Sequence, residues 1–172
     1  SDLEYGYDED WAFPAICAGQ ECDGWEYNSE DNYLRDRDNS TLDVKLASKK
    51  PVSLLGRHAD WVFGVYARQQ DEQLLRQYTY NASDFSSNFD TKNRAIYGQL
   101  DIDIASDLSL IAGLRLEGRK ATYNDSDGVD HSVDENLWGG RIALQYKLDD
   151  STMVYGLVSR GYKAGGVNSD SS

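Results

Sequence analysis

Six side chains in the stretch YNDSDGVDHSVDE are of types that ligate cations: Asp125, Asp127, Asp130, His131, Asp134 and Glu135. Their spacing fails the calcium-loop pattern, which sets ligands at the first, third and fifth positions and glycine at the sixth. With Gly128 sixth, the first position would be Tyr123. The stretch therefore reads as a solvated polar loop, and no metal site is assigned. The stretch AICAGQECDG sets Cys17 and Cys22 five positions apart, which fits a short disulfide loop in an oxidising compartment. The alternative is a pair of free thiols or half of a metal site, and no second cysteine pair exists to complete a zinc centre. Bond-breaking chemistry has no foothold: GxSxG, HExxH and phosphate-cradling glycine loops are all absent. The chain is not read as an enzyme, and no cofactor is implied.

Side chains suited to binding are easier to find. Tyr78, Tyr80, Phe85 and Phe89 lie in the polar segment QYTYNASDFSSNF, where they could stack on a chelate or a sugar, or pack against their own loop. Arg115, Arg141 and Arg160 could attract an anionic ligand or pair with neighbours such as Glu117. Pairing is the favoured reading, because an enclosed polar surface needs its charges neutralised. The formal net charge of -13, from 17 basic and 30 acidic residues, argues against a nucleic-acid partner.

These candidates have to be held by strands, because the apolar residues alternate with a period of two. Gly98, Leu100, Ile102 and Ile104 alternate with Tyr97, Gln99, Asp101 and Asp103. After Ala105-Ser106-Asp107 the pattern resumes with Leu108, Leu110, Ala112, Leu114 and Leu116. Further strands are expected over 33–47, 60–71 and a last hairpin spanning 137–162 around Asp149-Asp150-Ser151. Residues 1–26 read as loop with a short strand near Leu3 to Tyr7, and 73–92 and 123–136 read as long polar loops. The fold class is all-β, an antiparallel up-and-down meander of about six strands.

No apolar run is long enough for a membrane-spanning helix, but a membrane barrel hides its apolarity in alternation. Short turns at one end and long loops at the other are the arrangement of such a barrel. On one face Trp138, Gly140, Ile142, Leu144, Tyr146 and Leu148 line up. At a tilt near 40° their run rises about 25 Å, the height of an outer-membrane apolar band, with the two rings near its rims. Asp101, Asp103, Arg115, Glu117, Arg141, Lys147 and Arg160 are assigned to the opposite face, suited to a hydrated lumen or a folded plug.

The runs RAIYGQLDIDIASDLSLIAGLRLEGRKATY and WGGRIALQYKLDDSTMVYGLVSRGYKAGGVN resemble the central barrel region of TonB-dependent outer-membrane receptors. The features that carry the likeness are Gly98 to Asp103, Gly113-Leu114-Arg115, and Ser159-Arg160-Gly161-Tyr162-Lys163-Ala164-Gly165-Gly166. RDRDNSTLDVKLAS and DWVFGVYARQQ are similar to neighbouring strands, more weakly. The resemblance covers about 33–168. Residues 1–32 are expected to be an outer loop region, and 169–172 a loop cut short.

The resemblance implies a segment of a large barrel closed by an internal plug, in the outer membrane of a Gram-negative bacterium. It further implies uptake of a scarce small-molecule ligand, most of all an iron-siderophore, with cobalamin or a glycan as others, energised by the TonB complex. Outer-membrane lipid is then a partner. A signal, a TonB box, a plug and a terminal aromatic strand are not seen, so an excised piece of a larger receptor is expected. Such a piece, with open edges and an uncovered apolar face, is expected to self-associate. The competing reading is a soluble extracellular β-domain that binds glycans or a protein. The two diverge on one point: a soluble domain must bury the alternating apolar face under its own chain.

Overall fold

The computed structural model describes residues 1–8 and 30–165. Cys17 and Cys22, with the disulfide expected between them, lie outside the described residues. Eight strands form one antiparallel sheet: β1 (Asp2–Asp8), β2 (Glu30–Ala47), β3 (Val52–Leu54), β4 (Arg57–Tyr78), β5 (Phe85–Asp103), β6 (Leu108–Asp125), β7 (Asp130–Lys147) and β8 (Met153–Arg160). Their order is β1-β2-β4-β5-β6-β7-β8, with β3 paired to β4. The sheet is an open up-and-down meander whose outermost strands are β1 and β8. Among the described residues no helix is long and apolar enough to cross a membrane, which says nothing about strands.

Local chemistry sets the turns at one end. Between β5 and β6 the amides of Ile104 and Ala105 both donate to the Leu108 carbonyl, at 2.9 and 3.0 Å. Between β7 and β8 the Asp149 carboxylate accepts from the Ser151 amide at 2.8 Å, an Asx-type turn. The connection at 48–56 is itself a small hairpin, closed by Leu55 and Gly56 with φ of 52° and 75°. Two left-handed residues match the natural strand twist. Gly56 adopts that conformation freely, whereas Leu55 does so at a cost of about 1 kcal/mol.

The ladder aligns the alternating residues into continuous rows across the sheet. One row runs Val44–Val65–Ile96–Leu116–Trp138, and another runs Trp61–Leu100–Ala112–Ile142–Val158. This face is uncovered: Leu114 is 51% exposed, Ile142 60% and Val158 78%. The described chain provides no second layer over it. On the opposite face a row runs Lys45–Gly64–Tyr97–Arg115–Gly139, and the next runs Asp43–Tyr66–Ala95–Glu117–Leu137. Most buried residues share this second face, namely Asp31, Leu74, Phe85, Ser87, Ala95, Ala121, Tyr123 and Ala143. Crowding on one side of a single-layer sheet marks the inner, concave side. We call the two faces inner and outer accordingly.

Three expectations are corrected. The segments 73–92 and 123–136 are mostly strand: β4 continues to Tyr78, β5 begins at Phe85, β6 runs to Asp125 and β7 begins at Asp130. Only 79–84 and 126–129 are connections. Beyond the apolar band both faces meet water, so the sequence loses its alternation while the backbone still pairs best with its neighbour. Second, β2 begins at Glu30 rather than at Tyr33, while the short strand expected near Leu3 to Tyr7 is present as β1, paired with β2 from Asp8↔Glu30 to Asp2↔Asp36. Third, Arg160 lies opposite Gly140 and so belongs to the outer, apolar face. Its neighbours could not reveal this, because Met153, Val154 and Tyr155 are consecutive and apolar. The tight turn that sets Lys147 opposite Met153 fixes the register of β8 instead.

Candidate functional site

The inner face carries a connected polar network. At its centre Arg115 donates twice to Glu117, from Nε at 2.9 Å and Nη2 at 2.8 Å, although the two residues are only two apart along β6. Tyr162, beyond β8, accepts from Arg115 Nε at 2.9 Å and donates to Glu117 Oε2 at 2.7 Å. Asn93 on β5 donates to Glu117 Oε1 at 2.6 Å. The Glu117 side chain is only 10% exposed, so its charge needs these partners. The Arg115 guanidinium also lies over the Tyr66 ring, 4.9 Å from its centroid.

Glycine makes room for these rings. Tyr97 lies across Gly64, where any Cβ would collide with its ring, and from there its hydroxyl donates to Asp43 at 2.7 Å. Lys45 completes that group with an ion pair to Asp43 at 2.9 Å. A Cβ on Gly139 would stand 2.9 Å from the Arg160 carbonyl and 3.0 Å from the Tyr162 ring. One row further out, Arg119 bridges Glu135 at 3.2 Å and the Gly165 carbonyl at 2.7 Å. The segment after β8 is thereby tied back across the inner face.

A second group lies near the far end of the sheet. Arg76 on β4 grips Asp31 on β2 through both nitrogens, Nε at 2.9 Å and Nη2 at 2.8 Å. The Tyr33 hydroxyl donates to the same carboxylate at 3.0 Å, and Tyr5 stacks on Tyr33 with centroids 5.0 Å apart. Arg76 also lies over the Tyr33 and Tyr78 rings, at 5.2 and 5.4 Å. Its hydrogen bond holds the Asp31 carboxyl below the ordinary aspartate range against the opposing effect of burial. Burial, and then the Asp31 hydrogen bond, push the Tyr33 hydroxyl upward.

The sequence candidates are divided among these places. Arg115 is committed to Glu117. Arg141, also on the inner face, donates to Gln99. Tyr78 and Tyr80 meet edge to face at 5.6 Å beside Arg76. Phe85 is buried opposite Arg76, and Phe89 stands between Glu72 and Tyr123 on the inner face. Arg160 stacks on Trp138 on the outer face, 3.7 Å from the ring centroid. Asp125, a metal-type candidate, accepts from the amides of Asp127 and Val129 at 3.0 and 2.9 Å and so closes its own turn.

Asp31, Tyr33, Asp43, Arg76, Asn93 and Tyr162 were not legible as partners. They are far apart in the chain, and parity groups only Asp31, Tyr33 and Asp43 on one face of β2 without saying which residues of the neighbouring strands stand beside them.

This arrangement neutralises and fixes charge, and it offers surfaces for binding. The sequence matches the family described as TonB dependent receptor-like, beta-barrel over residues 2–172. The chain belongs to that family, whose members are outer-membrane transport receptors of Gram-negative bacteria rather than enzymes. No curated protein matches the sequence.

Among solved structures, the unliganded ferric citrate transporter FecA is similar with a TM-score of 0.68 at 16% identity, over 76% of this chain and 21% of that one. The ferric yersiniabactin uptake receptor FyuA from Yersinia pestis gives 0.65 at 18% identity, over 75% of this chain and 21% of that one. A complex of FpvAI with pyocin S2 gives 0.64 at 18% identity, over 91% of this chain and 23% of that one. At these identities the likeness is one of fold. The chain spans about a fifth to a quarter of the receptors it matches.

Proposed function

We propose that this chain forms part of the barrel wall of an outer-membrane receptor that takes up an iron-siderophore with energy delivered through TonB. The observation that carries the reading is the division of one sheet into two faces. The outer face is an uncovered apolar band shared by six strands, and the inner face is a network of ion pairs and hydrogen bonds. Water would not leave the first uncovered, and lipid would not tolerate the second. Further strands continuing from β1 and β8 close the barrel in the complete receptor, which removes both open edges. FecA and FyuA, each named for a ferric ligand, support iron as the cargo. On the inner face the Tyr33 and Tyr78 rings, with Tyr80 beside Tyr78, offer aromatic surface to a chelate, while the Arg76 charge is taken up by Asp31.

Two measurements on the full-length receptor test this. Spin labels at Leu110, Leu114, Ile142 and Leu144 in bilayers are expected to meet oxygen in preference to a water-soluble relaxer. Protection from both reagents would return the chain to a soluble β-domain. Uptake of radioactive iron as a siderophore complex is expected to stop when TonB is removed, and uptake indifferent to TonB would refute the coupling.

A further inference from the structure

The segment that follows β8 does not continue the sheet. β7 runs from Asp130 to Lys147, but β8 pairs with it only from Gly140↔Arg160 to Lys147↔Met153. Beyond Arg160 the chain turns onto the inner face. The Arg160 carbonyl and the Tyr162 ring lie over Gly139, 2.9 and 3.0 Å from where a Cβ would stand, and Gly165 lies against the Glu135 carboxylate. The outer part of β7, from Asp130 to Gly139, is therefore left without a neighbour on that side among the described residues.

This open edge has a defined polarity. The Lys147 amide points to the β6 side, donating to the Asp107 carbonyl, and the Leu148 amide points the other way, donating to the Thr152 carbonyl. Direction alternates along a strand, so Ser132, Asp134, Asn136 and Trp138 send their N–H and C=O groups away from β6. Such a row is a template for one more strand. Its side chains include Asp130, Asp134 and Glu135, which disfavour pairing with the same edge of a second copy. The nearest stretch of chain is 161–165, whose one charged residue is Lys163. Continuing the β8 register past Gly140↔Arg160 sets Trp138 opposite Tyr162 and Asn136 opposite Ala164.

We propose that residues 161–165 form a strap with two seats, the inner face where it lies in this structure and the open edge of β7, and that movement between them covers and uncovers the inner wall. In the inner seat Tyr162 bridges Arg115 and Glu117 at 2.9 and 2.7 Å, and Gly165 meets Arg119 at 2.7 Å and Glu135 at 3.2 Å. In the edge seat those contacts are exchanged for paired ladder bonds at Trp138–Tyr162 and Asn136–Ala164. The wall stays neutralised once the strap has left, because Arg115 and Asn93 still hold Glu117 and Arg119 still bridges to Glu135. Parity turns Tyr162 over in the process: it leaves the inner face and comes to lie beside Trp138 on the outer one, at the border of the apolar band, where an amphipathic ring is well placed. A role for the strap in transport rests on the inner face lining the receptor's passage, whereas the two seats themselves do not.

The test uses the full-length receptor in bilayers and reads disulfide formation under mild oxidation, with the linked peptides identified by mass spectrometry so that Cys17 and Cys22 do not confuse it. Asn136→Cys with Ala164→Cys places two thiols side by side on the outer face in the edge seat, while the sheet separates them in the inner seat. Linkage is expected, slowly. Adding Tyr162→Phe, which removes a hydroxyl bound to two charged groups, is expected to speed it about tenfold. Asn136→Cys with Lys163→Cys, one residue out of register, should not link. Amide exchange in the receptor without added cysteines supplies a second reading: Ser132 to Trp138 should exchange fast in the wild type and more slowly with Tyr162→Phe. No linkage in either background, equal linkage in the shifted pair, a rate indifferent to Tyr162→Phe, or edge amides already protected in the wild type would overturn the proposal. Iron enters neither measurement, so failed iron uptake would sink the transport reading and leave the strap standing, and failed linkage would sink the strap alone.

Discussion

On the inner face, Arg35 and Arg37 meet Glu72, Arg76 meets Asp31, Arg115 meets Glu117 and Arg119 meets Glu135. On the outer face, Lys92, Arg94, Lys120 and Arg160 meet no carboxylate within ion-pair distance among the described residues. The inner carboxylates are largely hidden, with the side chains of Asp31, Glu117 and Glu72 only 7%, 10% and 14% exposed. Hidden charge must be neutralised within the fold itself. The outer cations share the exposed face, where the counter-charge can come from the surroundings. Among the described residues the ion-paired cationic side chains all lie on the inner face, where Arg68 and Arg141 are held by side-chain amides instead.

The sharpest way to break this contrast is to put a charge in the outer band. Leu114→Arg is expected to destabilise the full-length receptor in bilayers by about 3 kcal/mol, read from urea unfolding. If the cost were near zero, the outer face would not be in hydrocarbon. Removing an inner carboxylate comes next. Asp31→Asn leaves Arg76 with its charge but no ionised partner, at an expected cost of about 2 kcal/mol to local opening. Hydrogen exchange across Glu30 to Asp36 would report it.

The same pair carries a pH signature. Because the folded state holds the Asp31 carboxyl below its usual 3.8, its stabilisation is fully present above that value and fades as pH falls through the lower folded value. Exchange in β1 and the start of β2 should therefore quicken in acid, and Asp31→Asn should remove that dependence.

A subtler perturbation tests the packing that orients the inner network. Gly64→Ala would drive Tyr97 off its seat and away from Asp43, with an expected loss of about 1.5 kcal/mol. Alanine at Gly156, on the outer face with open space around it, should cost far less. Thermal unfolding of the two variants side by side measures the difference.

The smallest effect has the opposite sign. A shared hydrogen bond with Asp71, and then burial, raise the Asp90 carboxyl above the ordinary aspartate value. Its charged form is therefore disfavoured in the fold, and that penalty disappears as acid protonates it. Asp90→Asn should stabilise by about 0.5 kcal/mol at neutral pH and by nothing once the pH is well below 3.8. A gain that persists in acid would mean the two carboxyls do not interact.

Much of this molecule was written in its period. Strict alternation in 96–116 and 138–148 announced the strands, their apolar face and the tight turns between them, because side-chain direction in a strand depends only on parity. The family was legible from the ordered motifs at Gly98 to Arg115 and Ser159 to Gly166. Parity failed where both faces are wet, so β4 up to Tyr78 and β5 from Phe85 passed for loop. It failed again in β8, where three apolar residues in a row conceal which face is which, and Arg160 was placed on the wrong side. The Arg115–Glu117 pair was open to reading because its members are two apart on one strand. Asp31 with Arg76, 45 residues apart, was not.

The sequence by itself determined the strand class, the apolar band, the turn chemistry and the membership of a receptor family, all of which depend on neighbours along the chain. Only the tertiary structure decided which cations are neutralised, which face outward, and which glycines make room for rings. Those outcomes depend on register between strands that meet across tens of residues, and a shift of one residue would exchange the two faces.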